Sequence, residues 1–285
     1  MLGSAIFLAF YDLAKKASVR DNAVLPVLLC STSFGCLAFP LAVALCGNLS
    51  SMFHVDAMTL TLAFSKSVLV AVSWVFTFCA LRTLPISIAT PIRASAPALV
   101  FVFALFLYGE IPGWFQALGM LVTFAGYLAF SWAGRHEGID FFRSRAVWCA
   151  IAGACCSAFS SLWDKYCFQV CASPVQAVQF WFQIGLVAVY GLLLTGQHLM
   201  GLARDRFSWR WPIPFVGVLL ACADWLYFTG LAVPDVPVSI ASLMRRFSVA
   251  LTFVLGARMF HETNLRRKGF ALAMILVGIT LLCVV

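Results

Sequence analysis

The chain has 285 residues, 63% of them hydrophobic and only 11% charged. A soluble domain carries roughly 25% charged residues and could not cover its surface with so few, so a mean hydropathy of +0.98 marks an integral membrane protein. The net charge of +8 sits in short connections between apolar runs, where membrane topology explains it without any nucleic-acid partner.

The first apolar stretch, 2–19, has Lys15, Lys16 and Arg20 behind it rather than in front. That order is the reverse of a cleavable signal, so the stretch is expected to stay as a first membrane helix. Cutting at Pro, Gly and charge then gives 24–46, 59–82, 86–109 and 113–133, followed by a polar boundary at 134–145. The second half divides into 146–169, 174–196, 212–232, 237–258 and 267–285. Each segment is close to the ~20 residues that span a bilayer as a helix. Runs such as 98–107 show none of the alternation of barrel strands. The expected fold is an all-α membrane protein with about ten transmembrane helices.

The two halves repeat. Ala80, Pro85, Ser87, Ile88 and Ala89 recur as Ala232, Pro237, Ser239, Ile240 and Ala241 at one offset of 152. The same offset pairs Arg93 with Arg245, Glu110 with Glu262 and Gly126 with Gly278. Nearer the start, an offset of 149 pairs Ala9, Phe10, Leu13 and Lys16 with Ala158, Phe159, Leu162 and Lys165. With five helices per unit, the second unit must enter from the opposite face, which gives two inverted five-helix repeats over 1–133 and 146–285. Charge agrees with that reading. Connections after the odd-numbered segments hold fourteen basic residues, including Arg20, Arg82, Arg143, Arg206 and Arg267, while the others hold Lys165 alone. The bias predicts cytoplasmic odd connections and external termini.

The segment around Leu81, Leu84, Pro85, Ser87 and Ala89, the Gly109-Glu110 pair, and Gln116 with Gly119 resemble the EamA-type domain of the drug/metabolite transporter superfamily. The resemblance covers nearly the whole chain as two copies, with His261 standing where the first copy has Gly109. It implies a ten-helix carrier with a central cavity. Its relatives move amino acids, nucleotide sugars, sugar phosphates, drugs or lipid-linked sugars. It implies cytoplasmic termini, against the charge bias.

Ionisable groups inside the bilayer cost ~2.5–3.5 kcal/mol each on insertion scales, so each needs a reason. Arg93 lies about seven residues into its segment, ~10 Å deep at 1.5 Å per residue. Arg245 takes the matching place in the ninth segment with Arg246 beside it, and Lys66 is similarly deep in the third. Snorkelling or pairing, for instance with Asp224, is the plain alternative to substrate binding. Lys16 and Lys165 sit near the ends of the first and sixth segments, and Asp12 four positions before Lys16 suggests a local ion pair. Trp74, Trp163, Trp225 and Tyr227 are candidate cavity walls, with packing as their ordinary role. Gln176, Gln179 and Gln183 share a helix face and suggest interhelical hydrogen bonds.

Substrate-binding candidates are therefore Arg93, Arg245, Arg246, Lys66, Lys16, Lys165, Trp74, Asp224 and Tyr227. No nucleophile–histidine set, P-loop or C-x-x-C pair is present, so no enzyme activity, catalytic residue, cofactor or metal is expected. The inverted repeat and the resemblance imply a secondary carrier in a cytoplasmic membrane working by alternating access, and the surplus of deep basic residues predicts that its small substrate is an anionic metabolite. A basic residue in the fourth segment with a basic pair in the ninth is similar to the phosphate-binding arrangement of plastid sugar-phosphate translocators. Export of amino acids or drugs, a lipid-linked sugar flippase and an intramembrane enzyme are the alternatives.

Overall fold

A computed structural model of the chain describes residues 2–45, 52–53, 55–86, 88–89, 92, 99, 113–135, 143–171, 173–201, 206–231, 238–260 and 265–282. Of the fourth predicted segment, only Ile86, Ile88, Ala89, Ile92 and Leu99 are described, so Arg93, Pro91, Pro97 and Glu110 lie outside the described residues. The helices are α1 (Leu2–Val19), α2 (Val24–Leu45), α3 (Ala57–Thr83), α4 (Trp114–Arg135), α5 (Arg145–Lys165), α6 (Val175–Leu199), α7 (Pro212–Leu231), α8 (Val238–Met259) and α9 (Leu265–Leu282). No strand occurs among the described residues.

Local chemistry sets the ends. Asp56 accepts from the Thr59 N–H at 3.1 Å, and α3 therefore starts at Ala57, earlier than expected. Hydrogen bonds from the Thr59 side chain and backbone hold the Asp56 carboxyl below its ordinary pKa. Pro85 stops the same helix after Leu84 donates to the Ala80 carbonyl at 2.8 Å. Pro212 opens α7, where its missing N–H costs nothing. Helix α5 runs on into a π-turn, Tyr166–Val170, which shifts the register of the side chains that follow.

Among the described residues, five spans are long and apolar enough to cross a bilayer: Val24–Ala44, Ala57–Thr83, Arg145–Phe168, Val175–Leu199 and Pro212–Gly230. Large apolar side chains also face outward along the helices, among them Leu37, Leu121, Leu192 and Phe270. Exposure on that scale is stable against lipid tails and unfavourable in water. The chain is a multi-pass membrane protein.

Among the described residues, every extensive helix pairing joins one half to the other. Helix α4 packs on α9, α1 on α7 and α8, α2 on α6 and α7, and α3 on α5 and α6. Small residues make these approaches possible. Gly35 of α2 meets Gly217 of α7 backbone to backbone, and Gly185 of α6 meets Ser67 of α3. An offset of 150 converts one crossing into the other. Likewise Gly126 lies against Ala271 and Ile275, while Gly278 lies against Gly119 and Thr123, related by the offset of 152. Ser4 Oγ donates to the Ala223 carbonyl at 2.7 Å, and Ser73 Oγ donates to the Gly153 carbonyl at 2.8 Å at the matching crossing.

The described connections sort to two ends of the bundle. Asn22 exchanges two hydrogen bonds with Ser208, at 2.8 and 3.0 Å, and Arg210 Nη1 donates to the Ala17 carbonyl at 3.0 Å. These join the turn after α1 to the segment before α7, and Lys16 reaches from α1 to the last turn of α3 at that same end. At the other end, Thr59 and Ser173 are hydrogen-bonded and Trp181 Nε1 donates to the Met52 carbonyl at 3.2 Å. Arg20, Arg82 and Arg210 thus share one end, as the charge bias requires.

Candidate functional site

Two polar clusters lie between the halves. The first centres on Lys66, which is 3% exposed and forms an ion pair with Asp164 Oδ1 across the α3–α5 crossing. Its Nζ also lies 4.6 Å from the Phe182 ring centroid, 4.7 Å from that of Phe228 and 5.9 Å from that of Phe168. Ring faces attract a cation electrostatically, so four elements share the work of holding this ammonium out of water. Phe168 belongs to the π-turn. A regular helical turn would carry that ring elsewhere, which ties the irregular backbone to the charge it helps enclose. Tyr227 packs edgewise on Phe228 at 5.6 Å and so supports the cage from behind.

The second cluster is a small chamber between α2, α3, α6 and α7. Ser31, Thr32, Trp74, Gln183 and Asp224 supply its polar and aromatic lining, and Phe182 separates it from the Lys66 cage. Its volume is about 20 Å³, enough for a molecule of water size. Ser31 Oγ donates to the Leu28 carbonyl at 3.1 Å, and Thr32 Oγ1 donates to the Leu28 and Leu29 carbonyls at 2.8 and 3.1 Å. Gln183 is 8% exposed and its Oε1 has no hydrogen-bond partner. Its neighbour Gln179 donates to the Ala221 carbonyl at 3.3 Å, the interhelical bond that the spacing predicts.

Trp74 and Asp224 stand in corresponding places, since the offset of 150 that relates the Gly35–Gly217 and Gly185–Ser67 crossings also relates them. Both line the same chamber, which therefore sits where the two halves meet. Lys66 lies beside it, one Phe182 ring away. Lys16 is elsewhere: its Nζ donates to the Leu81 and Leu84 carbonyls at 2.5 and 2.6 Å, satisfying the last turn of α3. The expected Asp12–Lys16 pair is corrected. Asp12 pairs with Lys15 at 2.9 Å, because carbonyls of α3 lie where Lys16 can reach them and Lys15 is held over the Tyr11 ring at 4.4 Å. Arg93 lies outside the described residues, and the side chains of Lys165, Arg245 and Arg246 do as well, although their backbones are helical in α5 and α8.

Sequence reasoning passed over Ser31 and Thr32, two small hydroxyls in an apolar run that give no periodic signal. It also left Lys66 without a partner, because Asp164 is adjacent only in space. Among the described residues no group of His, Cys, Asp and Glu has the geometry of a metal site, and the described cysteines are free.

Residues 1–132 match the EamA-like transporter family. A solved structure described as "Crystal structure of protein" is similar with a TM-score of 0.65 at 20% identity, covering 98% of this chain and 94% of that chain. At that identity the likeness is one of fold. No curated protein matches the chain.

Proposed function

We propose, from the match of residues 1–132 to the EamA-like transporter family, that the chain is a secondary carrier of a small anionic metabolite. It works in a cytoplasmic membrane by alternating access, rocking two inverted five-helix repeats, 1–133 and 146–285, around the region where they meet. Its partners are the lipid bilayer and the solute, without nucleic acid or cofactor, and the solute crosses chemically unchanged. The exchange of small-residue crossings between halves by near-constant offsets supports the repeat. Sites at a repeat interface suit a carrier because each half can close one side.

One observation carries the substrate charge. Lys66 engages Asp164 and Lys15 engages Asp12, so two of the three aspartates within the spans are already used. Asp224, the third, is set against Arg93, Arg245 and Arg246, a surplus of positive charge in a medium where charge is costly. A carboxylate or phosphate would offset it, and the planar guanidinium binds either through two parallel hydrogen bonds.

Two measurements test this reading. A thermal-shift screen of the purified protein against anionic and cationic metabolites identifies the ligand, which raises stability by binding the folded state. In proteoliposomes loaded with that ligand, Arg93→Gln and Arg245→Gln should each reduce uptake by roughly 10- to 150-fold, the worth of a hydrogen bond to a charged group. A cationic ligand, or normal uptake by both variants, would overturn the anionic reading.

Orientation has its own test. Cytoplasmic odd connections predict that Gly138→Cys, in a background lacking accessible cysteines, stays unlabelled by an impermeant thiol reagent in intact cells and reacts after permeabilisation. Labelling from outside would reverse the assignment and place the termini inside.

A further inference from the structure

We propose that the turn after α1 and the segment 206–211 together bind the headgroup of an anionic glycerophospholipid. The two pieces come from opposite halves of the chain and are pinned to each other. Asn22 and Ser208 exchange hydrogen bonds at 2.8 and 3.0 Å, and Arg210 Nη1 donates to the Ala17 carbonyl at 3.0 Å. Arg20 stands two residues before Asn22 and Arg206 two before Ser208, and two residues of chain span at most ~7 Å. Both guanidinium groups therefore belong to one patch. The Arg20 side chain is 63% exposed, and its ion pair among the described residues is with the exposed Asp21 at 3.7 Å. Arg206 is exposed, and its side chain makes no hydrogen bond or ion pair among the described residues.

Charge and neighbouring apolar surface select the ligand. By sequence this corner carries Arg20, Arg204, Arg206 and Arg210 against Asp21 and Asp205, a surplus of two positive charges. A phosphodiester offsets that surplus and suits the guanidinium fork, whereas a phosphocholine headgroup brings an ammonium of its own. The aromatic residues make the partner a lipid. Phe207, Trp209 and Trp211 are 41%, 50% and 78% exposed, and such rings are stable where hydrocarbon gives way to headgroups. The Trp209 ring packs on Phe34 of α2, with centroids 6.1 Å apart. Phe34, Leu37 and Leu41 share one side of α2 and are all exposed, so an apolar stripe leads away from the arginines where an acyl chain can lie. Basic residues at such a border attract anionic headgroups. A lipid held there touches the first half at α1 and α2 and the second half at the segment entering α7, so it clasps the halves at the basic end. On the carrier reading it favours the conformation closed at that end. That consequence rests on the carrier reading, whereas binding of the lipid does not.

The test uses the purified full-length protein in detergent micelles. Melting temperature is followed as phosphatidylglycerol, phosphatidylcholine with the same acyl chains, or soluble glycerophosphate is added. Phosphatidylglycerol should raise Tm saturably where the other two do not, and native mass spectrometry should find it retained on the chain. Arg20→Gln and Arg206→Gln should each weaken binding about fivefold, and the double variant about 25-fold. Neither should change Tm in micelles without added lipid, because neither side chain holds the fold. Arg266→Gln with Arg267→Gln, two exposed arginines at the start of α9, is the comparison and should leave binding unchanged. No response of the wild type to phosphatidylglycerol overturns the proposal, as does an equal response to phosphatidylcholine. An equal response to glycerophosphate makes this a site for free phosphate and overturns the lipid assignment. Equal weakening by the Arg266 and Arg267 changes, or full binding by the double variant of Arg20 and Arg206, removes the site from this corner. A protein that binds phosphatidylglycerol here but carries a cation keeps this site and loses only the anionic-substrate reading.

Discussion

Exchanging Asp164 for asparagine should cost the folded protein about 3–5 kcal/mol, the range seen when one partner of a buried ion pair is removed. Lys66 is 3% exposed and enclosed by three phenylalanine rings, none of which can accept its protons as a carboxylate does. The Lys66 amine would lose its counter-ion in a place water does not reach. Replacing both residues at once, with Lys66→Met and Asp164→Leu, should recover most of the loss, because the cage is then filled by apolar groups of similar length. Reversible unfolding in detergent micelles measures both. If the double variant is as unstable as the single one, the pair is not what holds α3 to α5. Transport by the double variant then separates stability from function, since a role for Lys66 in binding substrate would leave it folded but inactive.

Gly217→Ala should be damaging out of proportion to a single methyl group. A Cβ there would fall on the Ser31 carbonyl oxygen and within 2.6 Å of the Gly35 nitrogen, and both are backbone atoms in a helix. Neither can turn aside, so α2 and α7 must separate along their crossing. Overpacking a core costs about 1–3 kcal/mol and more when nothing flexible can give, so a loss of about 3 kcal/mol or more is expected here. Gly191→Ala in α6 is the internal comparison, because a Cβ there meets nothing within 4 Å. That variant should be neutral or gain about 0.5–1 kcal/mol from helix propensity. Melting of the two variants side by side decides the matter, and equal stability would mean that the α2–α7 crossing is looser than the backbone contact implies.

Contiguous features were legible in the sequence. Span positions follow from hydropathy summed over neighbours, and the observed helices from α1 to α9 keep close to the expected segments. Residue-type matches at fixed offsets were legible for the same reason, since an offset compares residue types and needs no coordinates. Their reach was partial. Offsets of 149 and 152 were read from the first and third segments, but the intermediate value of 150, which pairs Trp74 with Asp224, emerged only from the crossings at Gly35 and Gly217. Gln179 was read correctly as an interhelical hydrogen-bond donor. Asp12 was assigned to the wrong lysine, because helix periodicity allows partners at both three and four positions. The neighbour that decided between them, the end of α3, belongs to another part of the chain.

By itself the sequence determined that this chain lies in a membrane as apolar helices and that Arg20, Arg82 and Arg210 gather at one end of the bundle. Those properties depend on what each residue is and on its near neighbours, so hydrophobic transfer and helix geometry suffice to derive them. Only the tertiary structure decided that Lys66 meets Asp164 inside a phenylalanine cage and that Ser31, Thr32, Trp74, Gln183 and Asp224 share one chamber. Such meetings depend on how far each helix rotates and slides before its small residues interlock. Backbone contacts at Gly35, Gly185 and Gly217 set that register, and it is a property of pairs of helices that no single segment contains.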